Sequence, residues 1–326
     1  MKPIASLLAV LLLCSCAAPA AAAPPQPETH PTVLTMPPTA ATTAPTAPSQ
    51  PPEPPEPPQG IVLASEAPGT LEERCADAVV DYSNTTDGYV MVQYLGQTDK
   101  RLKVLVKGPS TTYQYNLPAQ GWTVFPLSDG DGNYQVGVYR NTSGSKYAVV
   151  LTAQFSVTLA DAFAPFLRPN QYVDYAAAPN TVALGQTLCT GIQQPLEKVA
   201  AIYDYVVENF TYDDELAATV KTGYLPNLDQ VLERKQGICF DYAAVMTAML
   251  RSQQVPCKLV VGYAGEIYHA WISVWTEEGG WVDGVIFFDG NSWKRMDPTF
   301  ASSGNRSEEI MRFIENNSNY TIKYLY

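Results

Sequence analysis

The sequence predicts an α+β protein whose folded part has two domains, a small all-β sandwich at residues 61–160 and a mixed domain at residues 161–326. Short runs rich in β-branched and aromatic residues, separated by turn sequences, predict the sandwich. In the second domain, apolar residues recur at helical spacing in two stretches, and alternating strand patterns follow them. Helices that are followed by strands favour an antiparallel sheet packed against a helix.

The chain begins with a predicted signal peptide, residues 1–15, in which Lys2 precedes a short apolar run ending at Leu13. This run is too short to span a bilayer, and no other stretch of the sequence reaches the about 18 consecutive apolar residues that a spanning helix needs. The sequence Leu-Cys-Ser-Cys resembles a bacterial lipobox, which implies a lipid on Cys16 and a location on the extracellular face of the bacterial cell membrane. The alternative is an ordinary secretory signal that carries two cysteines.

A disordered, proline-rich tether is predicted for residues 16–60, which hold 15 of the 27 prolines of the chain and neither lysine nor arginine. A segment of this composition buries too little apolar surface to fold, and it favours extended polyproline II geometry. At about 3.1 Å per residue, it would hold the folded part on the order of 100 Å from a membrane.

Six strands are predicted in the sandwich, at residues 89–95, 102–107, 111–116, 122–125, 134–139 and 148–157. The sequence Asp-Gly-Asp-Gly-Asn that starts at Asp129 has the acidic spacing of a calcium loop, but it lacks the later glutamate that an EF-hand requires. A hairpin turn is therefore predicted there. The sandwich carries no catalytic set of residues, so its default role is that of a spacer or a binding platform.

The second domain opens with irregular sequence and continues with an amphipathic helix, which starts at Pro195 and keeps its apolar spacing as far as Phe210. Asn227, with Gln230 three residues later, predicts the N-cap of a short helix that ends at Gly237. The helix that carries Cys239 follows, and residues 258–263 then predict a strand.

The stretch after Gly237 predicts a helix of about fifteen residues with Cys239 in its first turn. Pro256 ends the helical pattern, because the residue before a proline is disfavoured in helical geometry. Unpaired N–H groups and the positive end of the helix dipole stabilise an anion at a helix start, so the thiolate form of a cysteine is favoured there. The alternative is a small buried cysteine with no chemical role.

The chain has only two histidines, and His30 lies in the proline-rich tether, so His269 has to supply the base of any cysteine–histidine pair. Residues 266–276 alternate as a strand does, and one face of that strand carries His269, Trp271, Ser273 and Trp275. A later predicted strand ends at Asp297. A cysteine at a helix start, a histidine on a strand and an acid at the end of a later strand are the groups that nucleophilic cysteine catalysis requires.

Three short motifs carry a family resemblance: GICFDYA around Cys239, YHAWISV around His269 and RMDPTF around Asp297. They resemble the three motif blocks of the transglutaminase-like superfamily, whose core is similar to that of papain-type cysteine proteases. The resemblance covers residues 195–305, about a third of the chain. It implies a transglutaminase-like, papain-like fold for the second domain, with Cys239 as nucleophile, His269 as general base and acid, and Asp297 as the group that orients the histidine.

The oxyanion donor and the calcium dependence of animal transglutaminases are not carried over, because Ile238 and Phe240 flank the cysteine where those enzymes have glutamine and tryptophan. The backbone N–H of Cys239 is one predicted donor to the oxyanion, and the hydroxyl of Tyr263 is the candidate for a side-chain donor. No cofactor and no metal are expected.

The predicted function is that of a surface-anchored thiol enzyme that acts on amide bonds through a thioester. Peptide hydrolysis or deamidation is favoured over cross-linking, because transfer to an amine needs a channel that excludes water. Trp271 and Trp275 are candidates for the walls of such a channel, but aromatic residues on an alternating strand are more often core. The alternatives are a protein-glutamine transglutaminase and a non-catalytic binding scaffold. The expected partner is a protein or a cell-wall peptide.

The net charge of −12 argues against nucleic acid as a partner and favours a basic or neutral substrate. Four cysteines remain in the mature chain besides the lipidated one, and none of their spacings resembles a zinc site. With Cys239 as the nucleophile, at most one disulfide can form, and Cys75 with Cys189 is the suggested pair. Cys257, in a predicted strand, is expected to be a core residue.

Overall fold

The computed structural model describes residues 60–277, 280–283, 285–288, 293–296 and 319–326, and all of its elements lie in the compact unit Pro55–Tyr326. The predicted signal peptide and the tether up to residue 59, including Cys16, lie outside the described residues, and so does Asp297. Among the described residues, no helix combines the length and the apolar character that crossing a membrane requires. The predicted domain boundary at residue 160 stays a prediction.

The first half of the described chain is an antiparallel β-sandwich. Its described strands are β1 (Glu72–Arg74), β2 (Ala78–Asp81), β3 (Tyr89–Tyr94), β4 (Leu102–Lys107), β5 (Thr112–Leu117), β6 (Thr123–Pro126), β7 (Gly132–Ser143) and β8 (Lys146–Val157). One sheet has the strand order β1-β2-β3-β6 and the other has the order β5-β4-β7-β8. Alternate residues of β4 and β5 are buried in the apolar core. The six predicted strands are confirmed as β3 to β8.

Sequence patterns do not predict β1 and β2, and the burial of their residues gives the reason. β1 has only three residues, which are polar and mostly exposed, so it shows no apolar alternation. All four residues of β2 are buried, and a run that is buried on both faces does not alternate either.

The second half carries the helices α1 (Pro179–Leu188), α2 (Pro195–Asn209), α3 (Asp214–Thr219), α4 (Leu228–Arg234) and α5 (Cys239–Ser252). α1 and α2 each begin with a proline, which suits the first helical position because the N–H group there has no partner within the helix. Asn227 caps α4 as predicted, since its side chain accepts a hydrogen bond from the backbone N–H of Gln230 at 3.1 Å. The amphipathic helix and the cysteine helix are therefore confirmed.

The short helix that was expected to end at Gly237 ends earlier, at Arg234. Lys235 adopts a left-handed backbone with φ of 51°, which terminates the helix. The next two residues form strand β10 (Gln236–Gly237), which pairs in parallel with β9 (Thr211–Tyr212). This pairing joins residues that are distant in sequence, so the local pattern could not predict it.

A further four-stranded antiparallel sheet follows α5. Its region contains β11 (Cys257–Ala264), β12 (Ile267–Thr276), β13 (Gly280–Asp283), β14 (Val285–Phe288), β15 (Trp293–Met296) and β16 (Tyr320–Leu325). The sheet has the order β13-β12-β11-β16, while β14 and β15 pair with each other. α5 packs against β11 and β12. The α+β fold class, with an antiparallel sheet packed on the cysteine helix, is thus confirmed.

Gly262 on β11 allows β16 to approach closely. The pairing of these two strands shifts register between Val261 and Gly262, and a Cβ at Gly262 would collide with the carbonyl of Thr321. Because His269 is the cross-strand partner of Gly262, this close approach lies directly beside the predicted base.

The suggested disulfide between Cys75 and Cys189 is wrong, because both residues are free thiols. The Cys75 thiol lies against the sandwich, 3.7 Å from the carbonyl oxygen of Val150 on β8. Cys189 instead caps the C-terminal end of α1 in the other half of the molecule. Cys257 is fully buried at the start of β11, as expected for a core residue.

Candidate active site

Cys239 is the first residue of α5, as predicted, and its side chain is partly exposed. A buried carboxylate holds this helix start: Asp241 Oδ2 accepts from the Ile238 N–H at 2.9 Å, and Asp241 Oδ1 accepts from the Tyr224 hydroxyl at 2.8 Å. Burial raises the pKa of Asp241, and these two hydrogen bonds oppose the shift. Asp241 therefore ties the residue before the nucleophile to the loop between α3 and α4.

His269 lies on β12, and only 4% of its surface is exposed. Its ring centroid lies 6.1 Å from that of Trp271. Cys239 and His269 both line one cleft of about 450 Å³. The structure thus brings together two members of the predicted triad. The strand predicted to precede the third member is present as β15, but Asp297 itself lies outside the described residues.

Aromatic side chains form much of the cleft wall. They are Tyr172, Tyr212, Tyr224, Tyr268, Tyr326 and Phe240. Burial raises the pKa of Tyr212 to about 12, and the neighbouring Cys239 adds to this effect. Burial also raises the pKa of Tyr268, with a smaller contribution from Cys239. Both hydroxyls are protonated at neutral pH, as in an ordinary tyrosine, and can donate hydrogen bonds on the cleft wall.

Tyr212 is a site residue that sequence reasoning missed. The pairing of β9 with β10 places it opposite Gly237, two residues before the nucleophile, and its hydroxyl oxygen accepts from the backbone N–H of Cys239. The only local signal is the Phe-Thr-Tyr run that follows α2, which is too short to predict a strand. Its place in the site depends on a parallel pairing across about 25 residues of chain.

Tyr263, the side-chain donor predicted from the sequence, lies on β11, the strand whose Val261 lines the cleft. It pairs with Tyr268 across β11 and β12, and the two ring centroids are 5.5 Å apart. About a third of its side chain is exposed, and it is not among the described residues that line the cleft. Its role as an oxyanion donor stays a prediction.

Trp271 is buried, whereas Trp275 is only partly buried. Trp271 is 1% exposed, and its ring packs edge-on against Tyr320 at 5.2 Å. Trp275 packs against Phe163 at 4.7 Å and against Trp281 at 5.8 Å. Neither tryptophan is among the described residues that line the cleft. Trp271 is a core residue, as interpreted from the sequence, and Trp275 is partly buried.

The sandwich contributes to the cleft through a series of aromatic contacts. Tyr115 on β5 stacks on Tyr172 with a centroid distance of 5.6 Å, and Tyr172 packs edge-on against Phe240 at 5.4 Å. Tyr115 also contacts Tyr326 at 5.7 Å. Phe240 directly follows the nucleophile. The sandwich therefore supports the wall beside Cys239, a role that the sequence did not reveal.

Within the described part of the chain, no cluster of three or more histidine, cysteine, aspartate or glutamate side chains is arranged to hold a metal ion.

Residues 182–284 match the model of the transglutaminase-like superfamily. The chain carries a transglutaminase-like domain. The matched residues include the cysteine helix and the histidine strand, and a domain of this kind supports a thiol enzyme in general.

Two curated proteins and one solved structure show what the chain is similar to. The uncharacterised protein YebA of Bacillus subtilis is 34% identical over 106 residues, which cover 26% of this chain and 14% of that protein. A protein-glutamine gamma-glutamyltransferase of Pseudomonas aeruginosa is 28% identical over 146 residues, which cover 40% and 20%. The chain thus spans a fifth or less of the length of these relatives. The periplasmic domain of TgpA from Pseudomonas aeruginosa aligns with a TM-score of 0.34 and 18% identity, covering 72% of this chain and 97% of that one.

Proposed function

We propose that the chain is a thiol enzyme that cleaves amide bonds through a thioester. The observation that supports this proposal is the position of Cys239 and His269 on the wall of one cleft, within a transglutaminase-like domain. The Cys239 thiol gives its proton to His269, and the sulfur bonds to the amide carbonyl carbon. His269 then gives the proton to the leaving nitrogen as the carbon–nitrogen bond breaks. Water attacks the thioester next, which releases the acid and restores the thiol.

Two further roles complete the proposed mechanism. Asp297 orients the imidazole of His269, as the motif resemblance implies. The backbone N–H of Cys239 and the hydroxyl of Tyr212 are the donors proposed for the oxyanion. In the structure this N–H donates to the Tyr212 oxygen, so the proposal requires the oxyanion to replace that contact. Tyr263 is kept as the competing side-chain donor.

Hydrolysis, as peptide cleavage or deamidation, is the favoured reaction. An acceptor amine would need a passage that excludes water, and Trp271 and Trp275 do not line the cleft. Lys221 does line it, and its exposed ammonium group repels the ammonium of a lysine that would act as acceptor. The second candidate is a protein-glutamine transglutaminase, which the name of the Pseudomonas aeruginosa relative favours.

An assay with a glutamine-containing peptide and excess labelled primary amine separates the two reactions. We expect ammonia or new peptide ends to form without stable incorporation of the amine, and Cys239→Ala and His269→Ala to abolish product. The wild-type protein without the amine serves as the control for hydrolysis alone. Amine incorporation that depends on Cys239 and outpaces hydrolysis would establish the transglutaminase reaction instead.

Alkylation by iodoacetamide at pH 6 tests the cysteine–histidine pair independently of any substrate. We expect Cys239 to react before Cys189 and Cys257, because burial raises the pKa of both of these to about 11 and keeps their thiols protonated. His269→Ala should slow the labelling of Cys239 sharply. Equal rates in the wild type and in His269→Ala would show that no pair exists and would favour the non-catalytic binding scaffold.

We also propose that a lipid on Cys16 anchors the enzyme to the extracellular face of the cell membrane, where a protein or a cell-wall peptide would be its substrate. The lipobox resemblance supports this proposal. Mass spectrometry of the mature protein should find a lipid-modified Cys16 at the N-terminus, and Cys16→Ser should release the protein into the medium. An unmodified N-terminus at another residue would contradict the proposal.

A further inference from the structure

The charge of the cysteine cleft comes from a single side chain. Among the described residues that line it, Lys221 is the one lysine, and no arginine, aspartate or glutamate joins it. The proposed pair of Cys239 and His269 adds no net charge, because a thiolate and an imidazolium cancel. The ammonium group of Lys221 therefore gives the described lining a net positive charge.

Lys221 is exposed, and no described carboxylate lies within ion-pair distance of its ammonium group. The acidic residues nearest to it in the chain are engaged or lie outside the cleft lining. Asp213 caps α3 through its Oδ1, and both oxygens of the buried Asp241 accept hydrogen bonds from other groups. Asp214 and Glu215 are exposed on α3 and do not line the cleft. The cation is therefore available to an anionic group that enters the cleft.

The loop between α3 and α4, which carries Lys221, is held in place by contacts on two sides. The Tyr224 N–H donates to the Lys221 carbonyl at 3.1 Å, and the Tyr224 hydroxyl donates to Asp241 on α5 at 2.8 Å. Gly223 lies so close to Asn116 on β5 that a Cβ at this position would collide with the asparagine side chain. The backbone of Lys221 is thus fixed at the cleft, while its long side chain can turn towards a bound group.

The rest of the described lining is neutral and largely aromatic or aliphatic. A contact between two charges is stronger beside such a wall than on an open surface, because the wall lowers the local dielectric constant. A peptide supplies a negative charge through glutamate, aspartate or a free C-terminal carboxylate. We propose that Lys221 selects substrates that carry a carboxylate next to the amide that Cys239 attacks. This selection rests on the proposed function for the amide and adds the group beside it.

The net charge of the whole chain acts in the opposite direction. A charge of −12 favours a basic or neutral substrate at long range. At an ionic strength of about 0.15 M the Debye length is about 8 Å, so exposed charges elsewhere on the surface are largely screened at the cleft. A direct contact between Lys221 and a carboxylate is screened much less. The charge of the lining therefore decides the preference at this ionic strength.

Calorimetric titration of the full chain carrying Cys239→Ala, at an ionic strength of about 0.15 M, measures this preference without turnover. The probes are hexapeptides with blocked ends and a central glutamine. Glutamate, glutamine or lysine is placed directly before or directly after that glutamine. In at least one of the two positions, the peptide with glutamate should bind at least about threefold more tightly than the one with glutamine. The peptide with lysine should bind most weakly.

Variants of Lys221 in the same Cys239→Ala chain assign the preference to this side chain. Lys221→Gln should remove the preference for glutamate, Lys221→Glu should reverse it in favour of lysine, and Lys221→Arg should keep it because the charge remains. Lys146→Gln is the matched control, because Lys146 is an exposed lysine of the sandwich that does not line the cleft. It removes the same unit of charge and should keep the preference of the parent chain.

Four results would overturn the proposal. They are the failure of every hexapeptide to bind, equal affinity for the peptides with glutamate and glutamine, a preference that survives in Lys221→Gln, and an equal loss of preference in Lys146→Gln. Turnover of the same peptides by the wild-type protein separates this inference from the proposed function. Product without a preference for glutamate would overturn the selection by Lys221 and leave the thiol enzyme in place. Preferential binding of the peptide with glutamate without any product would contradict the enzyme and leave the carboxylate contact in place.

Discussion

Replacing Asp241 should loosen the start of the helix that carries Cys239, and two hydrogen bonds determine the size of the loss. Asp241→Ala removes the acceptor of the Ile238 N–H, a capping interaction that contributes about 0.5–2 kcal/mol. It also leaves the Tyr224 hydroxyl without its acceptor, which costs about 1–3 kcal/mol where that group is buried. The expected loss in free energy of unfolding is about 2–4 kcal/mol.

Asp241→Asn is the matched variant, because its amide can keep both contacts. The amide oxygen can accept from Ile238, and the amide N–H₂ can donate to the Tyr224 oxygen, which reverses one hydrogen bond without losing it. We expect Asp241→Asn to remain close to the wild type in stability. It also removes the cost of burying a charged carboxylate.

The pH dependence of the two proteins should differ for the same reason. The folded pKa of Asp241 is raised above the usual value of 3.8, mainly by burial, so the folded state binds more protons than the unfolded state above pH 3.8. Wild-type stability should therefore fall, relative to Asp241→Asn, as the pH rises from 3.8 through the raised pKa, and it should then level off. Subtracting one variant from the other cancels the titration of all other groups.

Equilibrium unfolding in urea, followed by tryptophan fluorescence between pH 4 and pH 8, measures these free energies. A loss below about 1 kcal/mol in Asp241→Ala would refute the assignment of Asp241 as the anchor of the helix start. A loss in Asp241→Asn as large as that in Asp241→Ala would refute the exchange of hydrogen bonds. A constant difference between the wild type and Asp241→Asn across this pH range would refute the raised pKa.

Two further predictions concern the fold and the oxyanion. Arg251 is fully buried and donates to the carbonyls of Arg168, Cys257 and Tyr326. Arg251→Met should therefore lower the free energy of unfolding by about 3–5 kcal/mol. The exposed control Arg101→Met should lower it by about 0.5 kcal/mol or less. A similar loss in both variants, measured by urea unfolding, would contradict this. Tyr212→Phe should lower kcat about a hundredfold with little change in KM, whereas Tyr263→Phe should leave both unchanged. The opposite order would restore Tyr263 as the donor.

The sequence by itself determined the features that local patterns encode. Apolar spacing and a breaker placed Cys239 at a helix start, because a helix buries one face and its first turn follows the residue that interrupts the pattern. Alternation placed His269 on a strand. Asn227 marked the start of a helix through its cap. The three motifs identified the domain type, which the match of residues 182–284, containing the first two motifs, bears out.

Only the tertiary structure decided which residues surround those two. Tyr212 reaches the nucleophile through a parallel strand pairing, and Asp241 reaches Tyr224 across a loop, so neither contact leaves a trace in local spacing. Cys75 and Cys189 proved to lie in different halves of the molecule, although counting cysteines had suggested a pair.

The same holds for the aromatic contacts between the sandwich and the cleft. They join segments that are distant in sequence, and the alternating pattern of each segment indicates only that one of its faces is buried. Local periodicity reports how much of an element is covered, because it reflects the burial of one face. It does not report what covers that face, because the partner is chosen by packing across the whole chain.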